Sequence, residues 1–180
     1  KADLLVLDDL DKVIVRDVYK NGEKVVSNGK TLCFDMPKIN DALEKKVRSS
    51  FNLPMLSSSD FDVDYNGKRK CHVISLVDGQ LLTDDLVSDI DFDCNNGIDI
   101  EHDILKIAVI ERHHNTGHIG NAFIKGIGLK EGAIASSVAH DSHNLIVIGT
   151  NTDDMAFAAN RIRELGGGIV SVKNGKVVAE

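Results

Sequence analysis

Three turn-forming dipeptides constrain the fold of this chain more than any other feature of its sequence. Asn21-Gly22, Asp78-Gly79 and Asn174-Gly175 each stand between two short apolar or alternating segments. A two-residue type I′ turn needs positive φ at both central positions, and these dipeptides supply it most readily. Three β-hairpins are therefore predicted. Their strands are Val13–Tyr19 with Glu23–Ser27, Cys71–Val77 with Gln80–Thr83, and Ile169–Val172 with Val177–Ala179.

Other segments add strands and one clear helix. Leu105–Glu111 and Leu145–Gly149 are apolar runs typical of buried strands, and Ser137–Ala139 is predicted to continue the sheet. A helix is predicted to begin at a cap on Asn151 or Thr152 and to end at three glycines, 166–168. Its apolar stripe comprises Met155, Ala158, Ala159, Ile162 and Leu165. The segment Asp41–Phe51 fits either a short helix or a surface arm.

This pattern predicts an α+β chain with two parts. We expect a β-rich C-terminal domain with at least one packed helix, preceded by a few strands of a small β-sandwich-like unit. The expected divisions are 1–30 for the end of the small β domain, 31–58 for a connector, and 59–180 for the C-terminal domain. Both ends fall within or next to predicted strands, which suggests part of a longer polypeptide.

The composition of the chain argues against several classes of function. The net charge of −7, with no tryptophan and two tyrosines, disfavours binding to nucleic acid or to anionic membranes. The three cysteines, at positions 33, 71 and 94, are odd in number and widely spaced. That usage suits a reducing compartment with mostly buried thiols, and no apolar run is long enough to span a bilayer. We therefore predict a cytoplasmic protein.

Five of the seven histidines fall between His113 and His143, in "IERHHNTGHIG" and "SVAHDSHNLIVIGTN". Three interpretations stay open: a metal site, the wall of a small-molecule or active site, and a structural loop or domain interface. The pair His140-x-x-His143 lacks the cysteine partners of a structural zinc site. An active-site wall or domain interface is favoured, with these candidates: Arg112, His113, His114, His140, Asp141, Ser142, His143 and Asn144.

Motifs of other enzyme classes are missing from the sequence. The chain contains no G-x-G-x-x-G, no G-K-[ST] and no G-x-S-x-G. Nucleotide-loop and serine-hydrolase functions are therefore not indicated.

The stretch "IAVIERHHNTGHIGNAFIKGIGLKEGAIASSVAHDSHNLIVIGTN", together with the segment up to "ELGGGIVSVKNGKVVAE", closely resembles the C-terminal domain of the adenine deaminases, members of the amidohydrolase superfamily. The segment "ADLLVLDDLDKVIVRDVYKNGEKVV" is similar to the part with which amidohydrolases leave their barrel and complete a small β domain. The resemblance is strongest over 105–180 and good over 2–29. It is moderate between them, where Val77-Asp78 departs from the pattern.

The resemblance implies a hydrolase that converts adenine and water to hypoxanthine and ammonia in purine salvage. A divalent metal, manganese or iron, would activate the water, held by ligands in a TIM barrel that begin with an H-x-H motif. This sequence has no H-x-H, so we expect the barrel and the metal ligands to lie outside this chain, which would then be inactive alone.

The implied partners are therefore the N-terminal barrel, adenine as substrate of the whole enzyme, and further copies in a homo-oligomer. The candidate residues would line or brace the barrel mouth. The alternative is a stand-alone purine-binding module, or a structural and oligomerisation module without catalysis.

Overall fold

A computed structural model describes residues 1–32, 38–67 and 69–180. These residues form two compact units, Lys1–Glu44 and Lys45–Glu180. Helix α1, Asp41–Arg48, crosses the boundary between them. Cys33 and the neighbouring part of the predicted 31–58 connector lie outside the described residues.

The first unit is a four-stranded antiparallel sheet. Its strands are β1 (Leu4–Asp9), β2 (Ile14–Lys20), β3 (Glu23–Ser27) and β4 (Lys30–Thr31), in that spatial order. Asn21 and Gly22 have φ values of 48° and 80°, so the first predicted hairpin is confirmed. This unit supplies the few strands that were predicted for a small β domain, and the buried residue within these strands is a carboxylate, Asp17.

The second unit is built on one eight-stranded sheet with a long helix, which confirms the β-rich α+β class. Its order is β12-β11-β9-β10-β7-β8-β5-β6, and all neighbours are antiparallel except β5 and β8. The strands are β5 (Lys70–Leu76), β6 (Thr83–Asp89), β7 (Ile104–Ile110), β8 (Ile119–Lys125), β9 (Ala133–Ser136), β10 (Leu145–Gly149), β11 (Ile169–Lys173) and β12 (Lys176–Ala179). The helix is α2, Thr152–Leu165.

The other two predicted hairpins differ in their turns. Asn174 and Gly175 have φ values of 50° and 68°, and the turn between β11 and β12 forms as predicted. In the second hairpin only Gly79 has a positive φ. A type I′ turn needs positive φ at both central residues, so a two-residue turn does not form and the connection spans residues 77–82. The predicted strand Gln80–Thr83 is therefore wrong.

Helix α2 follows its sequence signals closely. The side chain of Asn151 accepts a hydrogen bond from the N–H of Asp154 at 2.7 Å, and Gly166 ends the helix in the left-handed region. Met155 and Ile162 are buried as predicted, but Leu165 is exposed. Ser137–Ala139 was also predicted as a strand; that is wrong, because β9 ends at Ser136 and the chain then turns away.

The main core lies between α2 and one face of the sheet, and the segment 51–61 closes it. Leu53, Leu56 and Phe61 from this segment are buried in that core. Asn160 of α2 both donates to and accepts from the backbone of Leu56, and Arg163 donates to the carbonyl of Leu53 at 2.8 Å. Leu53 and Leu56, which lie in the predicted connector 31–58, are therefore part of the same core as Phe61 of the expected C-terminal domain. A short 3-10 helix, Ser58–Phe61, ends the segment.

Two expectations from composition concern thiols and membranes. Cys71 is half-buried, and burial raises the pKa of its thiol. Cys94 is exposed, so it departs from the prediction of mostly buried thiols. None of the helices in the described ranges combines the length and apolar character that crossing a bilayer requires.

Candidate functional site

Two polar loops meet at one end of the eight-stranded sheet. Ile110, the last residue of β7, pairs with Leu145, the first residue of β10. The loop that follows β7 (residues 111–118) and the loop that precedes β10 (residues 137–144) therefore emerge side by side. All eight candidate residues from the sequence lie in these two loops.

The two loops are joined through backbone carbonyls. Arg112 donates from Nε to the carbonyl of His143 at 2.6 Å, and His113 Nε2 lies 2.9 Å from the carbonyl oxygen of Ser142. Because a carbonyl oxygen only accepts, the Nε2 atom of His113 must carry a proton. The structure thus brings Arg112 and His113 together with Ser142 and His143, using main-chain atoms of the second loop.

Glu111 organises the first loop. Its carboxylate accepts hydrogen bonds from the N–H groups of His113, His114 and Thr116 and from the Thr116 hydroxyl. Burial alone would raise the pKa of Glu111, but these hydrogen bonds outweigh burial and lower it to about 2. Glu111 therefore acts as an anionic cap for the loop backbone.

The remaining candidates are not built into a compact site. The side chains of His140 and Asp141 are fully exposed, at 103% and 107%, with 4.0 Å between Nδ1 and Oδ1. His114 is also exposed. The Oδ1 atom of Asn144 is buried, and in the described part of the chain it finds no hydrogen-bond partner. The exposed side chains of His114, His140 and Asp141 are available for contacts beyond the described residues, whereas the buried Asn144 Oδ1 is not.

Sequence reasoning missed two residues that support the first loop. The ring of Phe51 lies beneath the Arg112 guanidinium, 5.1 Å from the ring centre. Asn52 donates from its backbone N–H to the carbonyl of Arg112 at 2.7 Å, and from Nδ2 to the carbonyl of His113 at 2.8 Å. An open cleft of about 410 Å³ beside them is lined partly by Asn52 and Arg163. The signal that could have indicated Asn52 is Asn52-Leu-Pro54, which lies in the part of the sequence where the resemblance to adenine deaminases is moderate.

The candidates do not assemble a metal site. Across residues 1–32, 38–67 and 69–180, no three histidine, cysteine, aspartate or glutamate side chains converge with the geometry to hold an ion. His113 is already committed to a carbonyl, and His140 and Asp141 point into solvent. The residues described thus do not fit a divalent metal, and the loops offer hydrogen bonds, imidazole rings and one guanidinium instead.

The chain is similar to the C-terminal part of known adenine deaminases. A family model for the adenine deaminase C-terminal domain matches residues 80–180. An adenine deaminase of Lysinibacillus sphaericus is 39% identical over 183 residues, covering 100% of this chain and 31% of the relative. One of Petrotoga mobilis is 43% identical over 178 residues, covering 99% and 31%. One of Methanococcoides burtonii is 40% identical over 183 residues, covering 100% and 30%.

The chain therefore spans under a third of the length of these curated relatives. The matches extend over the first unit as well as the second, so the similarity includes residues that precede the family model.

Proposed function

Because the chain belongs to the adenine deaminase C-terminal domain family, we propose that it is the C-terminal portion of a metal-dependent hydrolase that converts adenine to hypoxanthine and ammonia. The observation that carries this proposal is about 40% identity along the whole chain to proteins named adenine deaminase. The reaction would serve purine salvage in the cytoplasm.

In this proposal the chain supplies support and not the hydrolytic centre. The metal, manganese or iron, would be held by an N-terminal barrel of the amidohydrolase type, and this barrel would lie in the part of the relatives that this chain does not span. Residues 1–30 would complete a small β domain, and residues 59–180 would form the C-terminal domain. Residues 31–58 would connect these two parts.

The two loops, 111–118 and 137–144, would form a wall of the active site or the contact surface with the barrel. Two features support this role. Their backbones are held by Glu111 and Arg112, so their position is set before any partner binds. Their free groups, on His114, His140 and Asp141, point outward. Fixed loops with outward polar side chains suit substrate positioning or interdomain hydrogen bonds.

A chimaera tests the proposal. The 180 residues would replace the matching C-terminal part of the Lysinibacillus sphaericus relative, and adenine deamination would be measured. We expect an active chimaera, and we expect His140→Ala to lower kcat/KM about tenfold or more without changing thermal stability, since the ring is fully exposed. His72→Ala is the matched control, an exposed histidine on β5 outside both loops.

Two results would count against the proposal. An inactive chimaera with a native circular dichroism spectrum and full metal content would argue against the C-terminal role. Equal kcat/KM values for the chimaera and its His140→Ala variant would remove His140 from the site and leave the family assignment standing.

A further inference from the structure

Two arginines of the second unit, Arg112 and Arg163, have no carboxylate partner in the described part of the chain. Carboxylates are plentiful, because the chain has 28 acidic residues against 21 lysines and arginines. Arg161, two residues before Arg163 on the same helix, pairs with both Glu164 and Glu180. Two positive charges are thus left for partners outside the described residues.

Both guanidinium groups are held in place through Nε. Arg163 donates from Nε to the carbonyl of Leu53 at 2.8 Å, and Arg112 donates from Nε to the carbonyl of His143 at 2.6 Å. A guanidinium has five N–H groups, so four remain on the Nη atoms of each arginine. Among the residues that the structure describes, these four meet no acceptor in either case. A side chain that is already oriented loses less conformational freedom when it binds a ligand.

The two arginines approach the same short segment of the chain. An open cleft of about 410 Å³, called the arginine cleft here, is lined by Phe51, Asn52, Leu53, Asn115 and Arg163. The guanidinium of Arg112 lies 5.1 Å from the centre of the Phe51 ring. The cleft therefore has one positive charge in its lining, a second beside one wall, and no carboxylate among its lining residues.

The polar groups around the cleft offer mainly donors. Glu111 precedes Arg112, but its carboxylate is occupied by N–H groups of the loop backbone and by the Thr116 hydroxyl. The side-chain amide of Asn115 makes no hydrogen bond to any described residue, so its N–H groups can reach a ligand in the cleft. Guanidinium and amide N–H groups in one cleft suit an anion with several oxygen acceptors.

We propose that the arginine cleft binds the phosphate group of a small molecule. The planar guanidinium matches two phosphate oxygens with parallel hydrogen bonds. A phosphate monoester carries about −1.5 to −2 charges at pH 7, which the two arginines balance, whereas a carboxylate carries one. The cleft volume falls within the roughly 300–1,000 Å³ of small-molecule pockets. The proposal concerns ligand binding alone and holds or fails independently of deamination.

Titration of the ¹⁵N-labelled 180-residue chain with inorganic phosphate, followed by NMR at pH 7 and constant ionic strength, tests the site. We expect saturable shifts at residues 51–53, 115 and 163, with a dissociation constant on the order of 1 mM. Arg163→Met should raise this constant at least about tenfold, because a charge-assisted pair is lost. Asn115→Asp should do the same by placing a carboxylate in the lining. Aspartate tolerates the left-handed φ of 56° at this position.

Arg69→Met is the matched control, since it removes the same charge from an arginine that is exposed, paired with Asp93 and outside the cleft lining. It should leave phosphate binding unchanged within about twofold, a difference well below the tenfold step. Shifts that stay linear up to about 50 mM phosphate would overturn the proposal. So would equal affinities of the wild type and both cleft variants, or weakening by Arg69→Met to the same extent. Acetate binding as tightly as phosphate would overturn the assignment to phosphate. If Arg163→Met loses its native spectrum, Asn115→Asp decides.

Discussion

Replacing Asp154 by alanine should detach the last hairpin from helix α2. The Asp154 side chain is 3% exposed in the first turn of the helix. It accepts hydrogen bonds from the N–H of Asn174 at 3.0 Å and from the N–H of Gly175 at 2.7 Å. These are the two turn residues between β11 and β12, so one carboxylate holds a turn twenty residues away.

The expected loss is about 3 kcal/mol of unfolding free energy. A hydrogen bond to a charged group contributes about 1.5–3 kcal/mol. The lower value applies to each of the two bonds, because Asn174 and Gly175 are exposed and water can reach their N–H groups after truncation. The helix cap survives, since Asn151 accepts from the backbone of residue 154.

Urea unfolding and amide hydrogen exchange measure this effect. Exchange at residues 174 and 175 should accelerate in the variant, because their acceptor is gone. The matched control is Asp153→Ala: Asp153 lies in the same helical turn but is exposed. It should lose no more than about 1 kcal/mol, the contribution of a carboxylate near a helix N-terminus. If the two variants were equally stable, the reasoning would be refuted.

The pH dependence provides a second check on Asp154. Burial would raise the pKa of this carboxyl, but the hydrogen bonds from Asn151, Gly175 and Asn174 outweigh it, so the pKa is lowered. The unfolded chain then binds the proton more tightly, and the carboxylate stabilises the fold above the unfolded pKa, near 3.9. This stabilisation is lost as the pH falls through the folded pKa. The stability difference between wild type and Asp154→Ala should therefore narrow in acid.

Two further predictions concern other buried positions. Gly132→Ala should cost about 1–3 kcal/mol more than Gly128→Ala in urea unfolding. Both glycines have positive φ, but only at Gly132 would the new Cβ collide with the carbonyl oxygen of Val172. Equal losses would contradict this reasoning. Lys106 is 1% exposed, and burial lowers the pKa of its amine to about 8 despite the nearby Asp62 carboxylate. The free energy of unfolding should therefore rise as the pH increases from about 8 towards about 10.4, the pKa of lysine in the unfolded chain. The Lys106→Met variant should lack this pH dependence. A carbon NMR titration of Lys106 with a midpoint above 10 would refute the lowered pKa.

Much of the fold was predictable where local chemistry decides it. Asn21-Gly22 and Asn174-Gly175 adopt the positive φ values that their side chains tolerate, and α2 begins and ends at its cap and its glycines. The two-residue turn predicted at Asp78-Gly79 is wrong, because these residue types allow a type I′ turn but do not require one. The edge strand β6 then starts later than predicted, at Thr83.

The site was predictable as two polar loops but not as a set of contacts. Their adjacency follows from the pairing of Ile110 with Leu145, a long-range register that no local pattern encodes. The atoms that join them are carbonyls of Ser142 and His143, which any residue would offer. Asn52 was missed for the same reason, because its partners lie about sixty residues away.

The most direct test of the central claim is hypoxanthine production by the purified 180-residue chain, measured together with its metal content. We expect no turnover of adenine and no stoichiometric metal for this chain alone, and we expect turnover in the chimaera that includes the N-terminal part of a relative. Conversion of adenine by the isolated chain with one or more bound metal ions per copy would contradict it.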